Sequence, residues 1–184
     1  IPITENFAKA VNIIHQHVHE KQGKLVTSGM GKEGQIAHNI ATTFSATGTP
    51  AAYLHPSEAQ HGDLGILQKN DVLLAISNSG KTREIIELIG LKNNLYPDVP
   101  VIVISSQPDS PLAVKADCTI MTGNPAEVCA LGLTTTTSTT VMTGIGDALV
   151  VLMMEKIKFA ASDYALRHHG GYLGAKSRSL SGQG

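Results

Sequence analysis

Two spacings of apolar residues alternate along the chain, and they predict helices and strands in turn. Apolar residues at helical spacing open the sequence: Phe7, Val11, Ile14 and Val18. They predict an amphipathic helix that follows an N-cap at Thr4 and ends at about Gln22. Residues 71–77 are instead mostly apolar in succession, as expected for a parallel strand that is buried on both faces.

The same two patterns divide the rest of the chain. Predicted strands occupy residues 25–28, 51–55, 71–77, 99–105 and 118–122. Predicted helices occupy residues 32–47, 82–95, 136–157 and 162–167. Strands that alternate with helices predict a doubly wound α/β fold, in which helices flank a parallel five-stranded sheet. In such sheets ligands bind beyond the carboxyl ends of the strands, so the loops that open the helices are the places to search for function.

Composition excludes several classes of function. The 184 residues are 42% hydrophobic, contain no Trp and carry a net charge of −1, which provides a core but no general field for nucleic acid or an anionic membrane. The longest apolar run, residues 148–154, is far short of the about 20 residues that span a bilayer. Cys118 and Cys129 are expected to be buried thiols in a reducing cytosol. Residues 1–176 are expected to form one domain, and the Ser/Gly-rich residues 177–184 a flexible tail.

The first strand-to-helix loop, residues 29–34, has glycines at the spacing of a dinucleotide-binding loop. NAD binding would also require an acidic residue where the second strand ends, and the sequence has His55 near that point. We therefore expect no NAD. The loop still offers backbone amides at a helix N-terminus, so Ser28, Gly31 and Lys32 are candidates to contact an anion.

The loop at residues 77–82 offers several neutral donors to a phosphate group. Ser77, Ser79 and Thr82 surround Gly80 where the next helix begins. One hydroxyl would be sufficient to cap that helix, so several around a glycine indicate phosphate binding. Neutral donors also explain how a chain with so little net charge can hold an anion.

A third loop contains a candidate base. Glu127 lies among apolar residues, and we expect burial to raise its pKa as a general base requires; a solvated surface glutamate is the alternative. Residues 134–140 are all Ser or Thr, and mostly β-branched, which favours a loop and a helix start over a helix interior.

The histidines give weaker signals. His61 and Asp63 could bind a divalent metal, but no third ligand lies at an established spacing, so contacts to substrate hydroxyls are favoured and no metal is expected. His168 precedes two glycines after the last predicted helix, and its position alone indicates little.

Several motifs in this order resemble the sugar isomerase (SIS) domain of D-arabinose 5-phosphate isomerases, a flavodoxin-like fold. They occupy residues 29–32, 47–50, 55–56, 61–65, 76–80, 127–140, 146–149 and 168–174. The resemblance covers about residues 24–174, nearly the whole chain. Many relatives continue into a pair of CBS domains, which this chain lacks, so a single-domain form or a piece of a longer protein is expected.

The resemblance implies an aldose–ketose isomerase that interconverts D-ribulose 5-phosphate and D-arabinose 5-phosphate through a cis-enediol, without a cofactor. The product would feed synthesis of 3-deoxy-D-manno-octulosonate (Kdo) for lipopolysaccharide or capsule. By position, four residues match the family's functional residues: Lys32, Glu84, Glu127 and His168. The resemblance also implies a cytoplasmic homotetramer with active sites shared between subunits, so His168 would serve an adjacent subunit.

Roles for these residues follow from their chemistry. Glu127 is expected to act as the base between C1 and C2, and Lys32 to stabilise the enediolate oxygen. His168 is expected to move the O1 and O2 protons or to open a cyclic sugar. Glu84 is expected to orient Lys32 or a sugar hydroxyl.

Other functions remain open on the sequence alone. The same phosphate loop would suit a non-catalytic sugar-phosphate-binding regulator, or an isomerase for another phosphosugar such as sedoheptulose 7-phosphate. We also hypothesise that a downstream anionic sugar such as CMP-Kdo competes for the site near Lys81, Arg167 and His169.

Overall fold

Five parallel strands form one sheet in the order β2-β1-β3-β4-β5. In the computed structural model, which describes residues 1–2 and 4–182, they are β1 (Leu25–Gly29), β2 (Ala51–Tyr53), β3 (Val72–Ile76), β4 (Val101–Ser105) and β5 (Cys118–Met121). The doubly wound sheet is therefore confirmed. The central strands β1 and β3 pair from Leu25 with Val72 to Gly29 with Ile76, so their carboxyl ends lie side by side.

Helices connect the strands and complete the C-terminal part of the domain. They are α1 (Glu5–Ile14), α2 (Gly31–Ala46), α3 (Pro56–Ala59), α4 (Arg83–Leu95), α5 (Pro111–Lys115), α6 (Thr137–Lys156), α7 (Ala161–Arg167) and α8 (Gly171–Leu180). A π-helical segment, His15–Glu20, continues α1, and a 3-10 turn, Asp63–Ile66, follows α3. Thr4 caps α1 as predicted, since its hydroxyl accepts the N–H of Asn6 at 3.4 Å.

Three helices were not predicted, and one of them corrects the expected C-terminus. Helices α3 and α5 are a single turn each and show no apolar period, although each begins with Pro after a capping side chain. Helix α8 is rich in Gly and Ser, which are poor helix formers, and it is held by packing against α7. Because α8 continues to Leu180, the prediction that a flexible tail begins at residue 177 is wrong; residues 183–184 lie outside the described residues.

The sheet is buried on both faces, because alternate residues of each strand point to opposite sides. Leu74, Ile76, Ile102 and Ile104 pack with α1, α2 and α6 on one face. Leu73, Ala75, Val101 and Val103 pack with α4 and α5 on the other. Helix α6 is long and apolar enough to cross a membrane by length and composition, but it buries residues such as Ile145 and Leu149 in this core, as a core helix does.

The strand order determines where a ligand can bind. Helix α2 follows β1 onto one face of the sheet, whereas α4 follows β3 onto the other. The chain thus diverges between two neighbouring strands, and this opens a crevice at their carboxyl ends, the usual ligand site of such sheets. The segment at residues 29–34 spans the end of β1 and the first turn of α2, and residues 77–82 form the loop after β3; these are the two segments singled out by sequence.

Candidate active site

The loop at residues 77–82 presents hydroxyls and amides where α4 begins. The Ser77 and Thr82 hydroxyl oxygens lie 2.7 Å apart, and the Ser79 hydroxyl accepts the N–H of Lys81 at 3.2 Å. Ser77 is buried and Ser79 exposed, so the loop rises from the sheet edge into the crevice. The three hydroxyls predicted to bind phosphate are therefore brought together at one helix start.

Three other segments of the chain contact this loop, and Asn78 makes two of the contacts. The Asn78 N–H donates to Glu33 Oε1 at 2.8 Å, and the Asn78 carbonyl accepts from the Ser106 hydroxyl at 2.7 Å. Gly80 has a positive φ of +61°, and a Cβ there would overlap Ser110 Oγ. The loop is thus fixed before any ligand binds, which reduces the entropy lost on binding.

Glu33 is the site residue that the sequence interpretation missed. It lies in the first turn of α2, is half-buried, and links the loop after β1 to the loop after β3. Burial raises the pKa of its carboxyl group, and the bond from Asn78 only partly opposes that rise. The sequence offered one indication of this role, an acidic residue at the third position of a predicted helix after glycines. Such a residue often accepts a hydrogen bond from its own N-cap, whereas Glu33 accepts one from a neighbouring loop.

Lys32 and Glu127 converge at the start of α6. Lys32 Nζ donates to the Thr135 carbonyl at 3.4 Å. The carboxylate of Glu127 accepts the N–H groups of Thr136 at 2.7 Å and Thr137 at 2.8 Å, and also the Ser138 hydroxyl. A glutamate from the preceding loop therefore caps α6, which places both predicted catalytic side chains beside one helix N-terminus.

The expected rise in the Glu127 pKa is wrong. Hydrogen bonds from Ser138 and Thr136 lower the pKa of Glu127 from its ordinary value of 4.5 to about 2. The apolar neighbours that suggested burial, Val128 and Leu131, are themselves exposed, so desolvation opposes this change only weakly. The Ser138 hydroxyl and the backbone donors at the helix N-terminus stabilise the charged form, and they could not be located from the sequence.

Among the described residues, no hydrogen bond joins His168 to Lys32 within one chain. Phe159, just before α7, lies against Gly48 beyond the last turn of α2. Helix α2 is about 24 Å long, and Lys32 is at its other end, whereas α7, which leads to His168, is about 10 Å long. The expectation that His168 serves another subunit is compatible with this arrangement.

The His168 ring is nevertheless held in a defined orientation. It stacks on Tyr164 with ring centroids 3.7 Å apart, and its Nδ1 lies 3.1 Å from the Tyr164 carbonyl. A carbonyl oxygen can only accept, so Nδ1 carries the hydrogen and Nε2 of the neutral ring is left as an acceptor. Among the described residues, Nε2 has no hydrogen-bond partner.

The remaining predicted site residues are distributed around this edge. Gly31 begins α2, and Glu84 is half-buried in the first turn of α4. Ser28 is fully buried and its hydroxyl donates to the Leu54 carbonyl at 2.7 Å, so this hydrogen is not free to bind a ligand. His61 and Asp63 are exposed beyond α3, and nothing in the described part of the chain places them in contact with Lys32.

Two buried polar atoms at this edge have no partner in the described part of the chain: Asn78 Oδ1 and Thr137 Oγ1. Asn78 is in the loop after β3, and Thr137 is the first residue of α6, next to the groups that hold Glu127. Buried polar atoms are usually satisfied, so their position indicates that a ligand or water completes this edge.

Comparison with known proteins agrees with this geometry. The model of the SIS domain family matches residues 19–152. The chain is 44% identical over 174 residues to the Arabinose 5-phosphate isomerase KdsD of Francisella tularensis. The aligned residues are 95% of this chain and 52% of that protein. The chain therefore spans about half the length of the curated relatives it matches.

Two solved structures are similar over nearly the whole chain. One is a proposed phosphosugar isomerase involved in capsule formation from Bacteroides fragilis NCTC 9343, with a TM-score of 0.92, 64% identity, and coverage of 94% of this chain and 90% of that one. The other is a protein of E. coli CFT073 in complex with arabinose 5-phosphate, with a TM-score of 0.84, 36% identity, and coverage of 91% and 86%.

Proposed function

The chain belongs to the SIS domain family, and we propose from that premise that it is an aldose–ketose isomerase that interconverts D-ribulose 5-phosphate and D-arabinose 5-phosphate. The observation that carries the proposal is the juxtaposition of Lys32 with the 77–82 loop at the β1–β3 crevice. The loop suits a dianionic phosphate, and the ammonium group suits an oxyanion that develops on the sugar. The arabinose 5-phosphate bound to the similar E. coli CFT073 protein supports a pentose phosphate as the ligand.

The proposed reaction moves a proton between C1 and C2. A base removes a proton from C1 of the ketose, the electron pair forms the C1–C2 double bond, and negative charge collects on O2. Lys32 Nζ stabilises that charge. Protonation of O2 gives the cis-enediol, and loss of the O1 proton with protonation of C2 gives the aldehyde. Oxidation at C1 and reduction at C2 balance within the sugar, so the reaction needs no redox cofactor.

The base in this proposal is His168 rather than Glu127. A carboxylate whose pKa is lowered to about 2 is a weak base at neutral pH, because its donors already stabilise its charge. His168 has an unpartnered Nε2 among the described residues and a ring fixed by Tyr164. Glu127 instead positions the start of α6, and with it the Thr135 carbonyl that contacts Lys32. Glu84 keeps its proposed role of orienting Lys32 or a sugar hydroxyl.

This assignment uses a second copy of the chain, since no hydrogen bond among the described residues joins His168 to Lys32 within one. The C-terminal hairpin of α7 and α8 has several large exposed apolar side chains: Leu166 (67%), Tyr172 (76%), Leu173 (53%) and Leu180 (70%). Such a surface is typical of a subunit contact. We therefore propose a homotetramer in which the hairpin of one subunit brings His168 to the site of another.

The test uses D-ribulose 5-phosphate in D₂O without added cofactor, followed by NMR. The expected product is D-arabinose 5-phosphate with deuterium at C2, because the proton added to C2 exchanges with solvent. Binding without any product would refute the isomerase and favour a sugar-phosphate-binding regulator. Turnover of sedoheptulose 7-phosphate alone would instead assign the enzyme to that phosphosugar.

The proposed setting is Kdo synthesis in the cytoplasm. Free thiols suit a reducing compartment, although Cys129 is half-exposed rather than buried as expected. The similar Bacteroides fragilis protein is described as involved in capsule formation, which favours capsule over lipopolysaccharide as the destination of the product.

Inhibition by a downstream anionic sugar such as CMP-Kdo is part of the proposal. Lys81 lies in the 77–82 loop, whereas Arg167 and His169 lie in the C-terminal hairpin, so the proposed oligomer would bring these side chains to one ligand. Calorimetry that detects no binding at millimolar CMP-Kdo would discard this part of the proposal.

A further inference from the structure

Three rings in a row join the turn after α2 to His168. Phe159 follows α6 and lies against Gly48, Tyr164 is in α7, and His168 directly follows α7. The Phe159 and Tyr164 ring centroids are 6.4 Å apart with the planes inclined at 74°, an edge-to-face geometry that aromatic pairs prefer. Tyr164 and His168 are stacked, with the planes inclined at only 5°. The imidazole of the proposed base is therefore the last of three rings in contact.

The first ring, that of Phe159, occupies the space that a side chain at Gly48 would need. Gly48 has a φ of +91°, and a Cβ there would lie 2.8 Å from a carbon of the Phe159 ring. Carbon atoms in contact are normally about 3.5–4.0 Å apart, so any larger residue at this turn would displace the ring. The close approach of Gly48 thus determines where the row of rings begins.

Other contacts make α7 a fixed connection between Phe159 and His168. The Arg167 guanidinium lies 5.4 Å from the Phe159 ring centroid, within the range of a cation–π interaction. It also donates to the Asp163 carbonyl at 2.9 Å, and the Asp163 carboxylate accepts the Ala160 N–H at 2.9 Å. The first and last turns of α7 are therefore both tied to the segment that carries Phe159.

Tyr164 contacts His168 in two ways, and they have different effects. Its backbone carbonyl, 3.1 Å from Nδ1, determines which nitrogen carries the hydrogen. Its ring covers one face of the imidazole, so the imidazole cannot rotate freely away from that carbonyl. Among the described residues the Tyr164 hydroxyl makes no hydrogen bond, so the ring and the backbone, not the hydroxyl, hold His168.

A general base has to present its free nitrogen in one direction, and a displacement of about 1 Å can cost about 100-fold in rate. We propose that Tyr164 and Phe159 are positioning residues for His168, and that Gly48 acts on the base through them. This proposal rests on the proposed function, in which His168 is the base.

The test combines steady-state kinetics on D-ribulose 5-phosphate with NMR of the native oligomer labelled with ¹³C-histidine. The Cδ2 shift of a neutral imidazole differs between its two tautomers, so this readout does not require turnover; His168→Gln identifies the signal. Spectra are recorded at about pH 8, where imidazole groups are mostly neutral. The test variants are Tyr164→Leu and Gly48→Ala, and Tyr164→Phe is the conservative variant. The matched control is Tyr96→Leu, at a half-buried tyrosine after α4 on the other face of the sheet.

We expect wild type to show the tautomer with hydrogen on Nδ1. Tyr164→Leu should lower kcat about 10- to 100-fold with KM within about 2-fold, because the base loses its orientation while the phosphate loop is untouched. Its His168 signal should move towards the mixture of tautomers of an exposed imidazole. Gly48→Ala should act in the same direction with a fall in kcat of about 3- to 10-fold, because Tyr164 remains. Tyr164→Phe and Tyr96→Leu should match wild type in kcat and in the His168 shift.

Thermal denaturation verifies that each variant is folded at the assay temperature. The proposal would be overturned if Tyr164→Leu lowered the Tm but left kcat and the His168 shift unchanged, because Tyr164 would then only stabilise the fold. It would also be overturned if Tyr96→Leu lowered kcat as much as Tyr164→Leu does. If the His168 signal moves as expected but kcat does not change, or wild type does not isomerise the sugar, the proposed base or reaction fails and the positioning of the ring stands.

Discussion

Gly80→Ala is the most stringent test of how the 77–82 loop is held. Gly80 has a φ of +61°, a conformation that costs an L-residue about 1–2 kcal/mol. The added Cβ would also overlap both Oγ and Cβ of Ser110, a contact closer than real Cβ atoms make. Ser110 is only 3% exposed and has to move, although its hydroxyl caps α5 by accepting the Ala113 N–H at 3.3 Å.

The expected cost is the sum of these two effects. Loss of an N-cap costs about 0.5–2 kcal/mol, so with the strained φ the free energy of unfolding should fall by about 2–4 kcal/mol. For a chain of this size that corresponds to a fall in Tm of about 5–15 °C. Because the loop amides move with Gly80, we also expect inorganic phosphate to bind about 10-fold more weakly or worse, as for loss of one charge-assisted hydrogen bond.

Two further variants separate the strained φ from the clash. Gly132 has a φ of +62° with no atom within 4 Å of a Cβ, so Gly132→Ala should cost only the strained φ. Ser110→Gly removes the side chain that Gly80→Ala meets, and Gly is an N-cap that costs only a few tenths of a kcal/mol. In the double variant Ser110→Gly/Gly80→Ala, about 1–2 kcal/mol should therefore return relative to Gly80→Ala alone.

Urea denaturation of these variants measures each free energy, and calorimetry measures phosphate binding. The reasoning would be refuted if Gly80→Ala destabilised the protein no more than Gly132→Ala does, because the contact with Ser110 would then be absent. It would also be refuted if Ser110→Gly gave no recovery in the double variant.

Three further predictions concern Glu33, Glu127 and the shared site. Glu33→Ala should raise KM for the sugar phosphate about 5- to 20-fold with a smaller effect on kcat, because the Asn78 N–H loses its acceptor, whereas Glu33→Gln should retain a KM near that of wild type in steady-state assays. Since the pKa of Glu127 is lowered from 4.5 to about 2, its stabilising contribution is complete above about pH 4.5 and is lost as the pH falls towards 2. The difference in Tm between wild type and Glu127→Gln should therefore shrink across that range, and a constant difference would contradict the assigned pKa. Mixing Lys32→Ala with His168→Ala, each inactive alone, should restore part of the isomerase activity after subunit exchange; no restoration by any mixing protocol would argue against a shared site.

The fold and much of the candidate phosphate site could be predicted from the sequence because both depend on local information. Continuous apolar runs such as residues 71–77 determine a buried parallel strand, and the carboxyl end of such a strand is where its loop must present ligand groups. The hydroxyls of Ser77, Ser79 and Thr82 could therefore be placed at a helix start by counting along the chain. Helix α8 could not, because its Gly- and Ser-rich residues have weak helical propensity and are ordered by contact with α7.

The sequence by itself determined which residue types meet at the carboxyl edge, whereas the tertiary structure decided what each of them can do there. Glu127 is a candidate base by sequence, but the Ser138 hydroxyl and the Thr136 amide stabilise its charged form, and a pKa is set by neighbours in space. Glu33 looks like an ordinary first-turn glutamate until β1 and β3 pair and bring Asn78 to its carboxylate. The position of His168 relative to Lys32 likewise depends on the length and direction of helices that pack around the sheet. Periodicity is a property of the chain, but electrostatics and distance are properties of its packing.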